Sequence, residues 1–89
     1  MCEIGRAVDV ICVCDADGTI RPLRLRLEEA DESLLRVNID EVVSSREISY
    51  VGAEATIYLC RAVIHGRERL FELRYQIRSH CWQLLQSLY

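Results

Sequence analysis

Arg21-Pro22-Leu23-Arg24-Leu25-Arg26-Leu27 alternates leucine with a polar residue, the period of a strand with one buried and one solvated face. The same period recurs downstream. Leu35, Val37 and Ile39 alternate with Arg36, Asn38 and Asp40, and Phe71, Leu73, Tyr75 and Ile77 alternate with Glu72, Arg74, Gln76 and Arg78. Upstream, Val8 to Cys14 is a β-branched run of strand length, apolar on both faces, and Ala55 to Ile64 is similar.

Turn chemistry sets the pairing. Asp15-Ala16-Asp17-Gly18 is a tight-turn sequence. As a four-residue loop it pairs Cys14 with Thr19 and Asp9 with Arg24, so that Val8 and Val10 share a face with Leu25 and Leu23. His65-Gly66 reads as a two-residue hairpin turn, which sets Cys60 opposite Phe71 and Tyr58 opposite Leu73. Residues 28–33 form an acidic loop, and Val42 to Gly52 does not read as a strand, with Tyr50-Val51-Gly52 a turn. The C-terminal segment 79–88 fits a strand through Trp82 and Leu84, or a short helix through Cys81, Leu84, Leu85 and Leu88. The preceding hairpin order favours the strand.

The expected fold is therefore all-β: a small antiparallel barrel or roll of five to six strands over residues 7–89, after an N-terminal arm of residues 1–6. The expected interior is Val8, Val10, Leu23, Leu25, Val37, Ile39, Tyr58, Cys60, Phe71 and Leu73. With 89 residues and 51% hydrophobic content, the chain has enough apolar surface for one core and too little for two. It has no signal-peptide layout and no apolar run of membrane-spanning length, so a cytoplasmic location with reduced, mostly buried cysteines is expected.

All eleven basic residues are arginine, which removes lysine-based Schiff-base chemistry. Residues 1–56 hold six arginines and twelve acids, a net of −6, whereas residues 57–89 hold five arginines and two acids, a net of +3. Asp15-x-Asp17-Gly18-Thr19 after an apolar strand is similar to the first motif of haloacid-dehalogenase-like phosphatases. That family needs parallel strands alternating with helices, and here Thr19 to Leu23 runs on as a strand, so the motif is read as a hairpin loop. Zinc ligation by Cys12-x-Cys14 with His80-Cys81, Cys60 or His65 lacks the usual structural spacing. No catalytic residues, metal or other cofactor are expected.

Two interaction readings remain. A non-catalytic binding module would act through self-association, as a homodimer, or on a protein partner, using Ile11, Val13, Ile57 and Leu59 as an outward apolar face. Alternatively, a nucleic-acid-binding small barrel would use the arginine face of Arg24, Arg26 and Arg36.

Taken together, Gly18-x-Ile20-x-Pro22-Leu23-Arg24-x-Arg26, Ile39-Asp40-x-Val42, Tyr50-x-Gly52, Ile57-Tyr58-x-Cys60, Leu73-x-Tyr75 and Trp82-x-Leu84 resemble a group of short uncharacterised bacterial proteins. The resemblance spans roughly residues 8–85 and implies a small β-domain without an assigned activity. His65-Gly66 departs from it, standing where Asn-Gly is expected.

Overall fold

A computed structural model describes residues 6–29, 31–50 and 53–87. These form eight strands and no helix: β1 (Arg6–Ala7), β2 (Asp9–Cys14), β3 (Ile20–Glu28), β4 (Leu34–Asn38), β5 (Glu41–Tyr50), β6 (Ala53–Ile64), β7 (Arg67–Gln76) and β8 (Cys81–Ser87). They make two antiparallel sheets, one in the order β1-β8-β7-β6-β5 and the other β2-β3-β4. The all-β expectation holds, the C-terminal segment is a strand, and no closed barrel is found among the described residues. Arg6, assigned to the N-terminal arm, pairs with Leu84 as part of β1.

The alternating strands bury their apolar sides between the sheets. Leu25 and Val37 from the three-stranded sheet meet Tyr58, Cys60, Ala62, Phe71, Leu73, Tyr75 and Trp82 from the five-stranded one. Val8, Val10 and Ile39 pack half-buried against this cluster. Trp82 lies 4.8 Å from Tyr75 and 5.5 Å from Tyr58 between ring centroids, a tilted aromatic stack in the core. Tyr58 donates its hydroxyl hydrogen to the Ile20 carbonyl at 2.6 Å, which satisfies the polar end of a buried ring and ties one sheet to the other.

The chain passes between sheets at two corners. The Val8 amide donates to the Trp82 carbonyl where β1 gives way to β2, and the Asp40 amide donates to the Arg61 carbonyl where β4 gives way to β5. The β6–β7 hairpin has the expected register, with Cys60 opposite Phe71 and Tyr58 opposite Leu73. His65 and Gly66 both take positive φ, 53° and 77°, as a type I′ turn requires.

The first hairpin differs from expectation. Cys14 pairs with Ile20, Asp9 with Arg26 and Val10 with Leu25, and the ladder shifts between Ile11 and Cys12 so that Leu23 is an extra residue. Pro22 explains this. It has no N–H to give to the ladder, yet it sits in β3, the central strand of its sheet, and a bulge is the accommodation such a position allows. The bulge resets the alternation. Leu25 turns inward at 2% exposure, whereas Leu23, expected inside, is thrown outward at 45%.

Residues 42–50, not expected to form a strand, belong to β5, which pairs with β6 along its length. Its reading was obscured because it is an edge strand rich in Ser, Arg and Glu, and a bulge at Val43 interrupts its period. Residues 51 and 52 of the expected turn lie outside the described residues. Ile57, expected outward, is only 3% exposed. Arg46 and Arg74 flank it across the sheet, and their pairing with Glu72 and Gln83 sets a polar lattice over that face.

Candidate interaction surface

The outer face of the three-stranded sheet carries the arginines singled out from the sequence. Arg26 stands directly opposite Arg36, Arg24 opposite Asn38, and Ile11 opposite Arg24. Side chains of like charge in register on one face repel unless something intervenes. Asp9, opposite Arg26, forms an ion pair with it. Arg24 and Arg36 have no acidic partner among the described residues. Together with Asp9, Ile11 and Arg26 they line a shallow depression of about 300 Å³.

Three large apolar side chains stand exposed on this sheet: Ile11 at 56%, Leu23 at 45% and, at its far end, Leu34 at 62%. Val13, half-buried, lies beside Arg21 on the same outer side. Leu23 joins this set only because of the bulge, so its place in the surface was missed from the alternation. Pro22 was the available signal. Of the expected apolar face, Ile11 and Val13 are brought together here, whereas Ile57 and Leu59 lie on the back of the five-stranded sheet, buried and half-buried respectively.

The Asp15–Thr19 segment is a loop between β2 and β3. The Asp15 amide donates to the Thr19 carbonyl and the Gly18 amide to the Asp15 carbonyl. Both carboxylates are engaged locally. Asp15 accepts from Arg21 at 3.2 and 3.3 Å, and Asp17 accepts from the Thr19 amide at 3.0 Å. That backbone N–H, with help from the Thr19 side chain, holds the Asp17 carboxyl below its ordinary value.

The thiols depart from expectation. Cys60 is buried, and burial pushes its thiol up to about 12, but Cys12, Cys14 and Cys81 are free and exposed. Cys2 lies outside the described residues. Cys12 and Cys14 lie on β2, the edge strand of its sheet, and stay exposed although their ladder partners Pro22 and Ile20 are buried and half-buried. His65 is bonded to Glu29 at 2.8 Å, and His80 to the Tyr75 hydroxyl at 2.8 Å. No group of three or more potential metal ligands occurs among the described residues.

Phe71, Tyr58, Tyr75 and Trp82 are all in the core, so none offers a ring face to a base on the arginine surface. No described helix is long and apolar enough to cross a membrane. No family model, curated protein or solved structure matches the chain.

Proposed function

We propose that the protein is a non-catalytic interaction module whose contact surface is the outer face of the three-stranded sheet, and that its partner is a second copy of the chain. The carrying observation is that Arg24 and Arg36, without acidic partners among the described residues, stand beside the exposed Ile11 and Leu23. Arginine beside apolar side chains is the composition that protein interfaces favour. The chain itself carries the complement. Leu34 is 62% exposed at the end of the same sheet, next to the acidic Glu28, Asp31 and Glu32. An isologous face-to-face pairing sets that end of one copy over the arginines of the other.

The β5 edge is a weaker candidate for self-pairing. Its Val43 bulge and its Arg46 and Glu47 are features that discourage strand addition. The two corners, where the chain passes from sheet to sheet, support reading the fold as a roll that leaves this outer face open. We place the module in the cytoplasm, where the exposed Cys12, Cys14 and Cys81 stay reduced.

Sedimentation across concentration tests the proposal. A dimer is expected at high micromolar protein, reverting to monomer in Ile11→Ser/Leu23→Ser, whose exposed positions leave the core intact. A strictly monomeric wild type would reject it. If that monomer bound single-stranded nucleic acid with a steep salt slope lost in Arg24→Ala/Arg26→Ala, the arginine face would belong to nucleic acid.

A further inference from the structure

Cys12 and Cys14 are free, exposed and two residues apart on β2. Their registers, opposite Pro22 and Ile20, set both on the inner face of the three-stranded sheet. Beyond β3 on one side, β2 has no ladder partner among the described residues, so this edge is open. Burial raises the Tyr58 and Tyr75 phenols above their ordinary values, and neighbouring thiols add to this, Cys12 and Cys60 at Tyr58 and Cys12, Cys14 and Cys81 at Tyr75.

The spacing selects what the pair can hold. Residues i and i+2 of a strand are about 6.6 Å apart at Cα, with parallel side chains. A disulfide needs Cβ atoms within about 4.5 Å, which this strand does not provide without distortion. Zinc needs four ligands, and no cluster of even three exists among the described residues. A linear sulfur–metal–sulfur unit spans about 4.6 Å at the zinc–thiolate length of about 2.3 Å, and slightly less for a two-coordinate ion. The Cys14 Sγ contacts the Asp15 carbonyl at 3.8 Å, so occupying the site requires it to rotate toward Cys12 to reach that span. Soft thiolates favour Cu(I).

We propose that Cys12 and Cys14 form a two-coordinate site for a thiophilic monovalent cation, Cu(I). On binding, the two thiols release two protons and the ion accepts two sulfur electron pairs without any change of oxidation state. The occupied site carries one net negative charge, and binding strengthens as pH rises. Cys81 is not a ligand. It precedes the inward-facing Trp82, so strand alternation turns it to the other side of β8.

The test is anaerobic titration with Cu(I) against a chromophoric chelator, following Trp82 emission, since Trp82 stacks on Tyr75. One equivalent per chain is expected, with quenching, lost in Cys12→Ser and in Cys14→Ser but kept in Cys2→Ser and Cys81→Ser. Binding that survives Cys12→Ser/Cys14→Ser, or that disappears in Cys81→Ser, would overturn the site. A second measurement uses the native chain. Mass spectrometry after iodoacetamide should show Cu(I) protecting Cys12 and Cys14 while Cys81 is alkylated, and equal alkylation of all three would also overturn it.

Discussion

Leu23 and Leu25 look equivalent in the alternating run, and the bulge after Pro22 makes them opposites, so truncating each to alanine separates bulge from regular strand. Leu25 is 2% exposed and belongs to the central cluster. Leu25→Ala removes three carbons from the core, about 2.4 kcal/mol of transfer at about 0.8 kcal/mol each. The cavity left behind raises the cost to about 3 kcal/mol. Leu23 is 45% exposed, so Leu23→Ala forfeits roughly half the transfer and leaves no enclosed cavity, about 1 kcal/mol. A domain of this length has about 4–13 kcal/mol of stability in total, so the first change removes a large part and the second a small one. In urea, with a slope of about 1.2 kcal/mol per molar, Leu25→Ala should lower the midpoint by about 2.5 M and Leu23→Ala by less than about 1 M. Trp82 emission reports both. Equal losses, or a larger loss at Leu23, would refute the bulge and the burial it creates.

Three further outcomes follow from the same geometry. Gly66→Ala should cost about 1–2 kcal/mol in urea unfolding, all of it conformational, because Gly66 has φ of 77° and an added Cβ meets nothing within 4 Å. Native-state alkylation at pH 8 should modify Cys12, Cys14 and Cys81 and spare Cys60 until denaturant is added, since its thiol is pushed up to about 12; early labelling of Cys60 would contradict its burial. Asp17 has a folded-state pKa below its ordinary 3.8, so its contribution to stability is complete above that value and fades as pH falls toward the lowered one. Unfolding midpoints from pH 6 to pH 2 should therefore fall less steeply in Asp17→Asn than in wild type below about pH 4. An unchanged slope would remove the Thr19 amide as the cause.

Strands whose faces differ in polarity were legible, because one buried side imposes period two wherever the neighbours are regular. Phe71 to Gln76 and Leu35 to Asn38 are of this kind, and His65-Gly66 set the β6–β7 register through its two positive φ angles. Residues whose setting depends on a distant strand were not. Ile57 is covered by side chains from β5 and β7, so nothing in its own stretch marks it as buried. β5 shows no clean alternation because an edge strand with polar neighbours is not required to hide either face. The arginine surface was found in outline, since Arg24, Arg26 and Arg36 do meet. Its apolar component was half missed, because the bulge that exposes Leu23 follows from an absent N–H at Pro22 rather than from any hydrophobic pattern.

Amide chemical shifts of the wild-type protein, followed from about 10 μM to about 1 mM, test the proposed interface most directly. Dimerisation through the outer face of the three-stranded sheet predicts concentration-dependent shifts at Ile11, Val13, Leu23, Arg24, Leu34 and Arg36, with β6 and β7 unchanged. Spectra that do not vary with concentration, or shifts concentrated along Glu41–Tyr50, would contradict it.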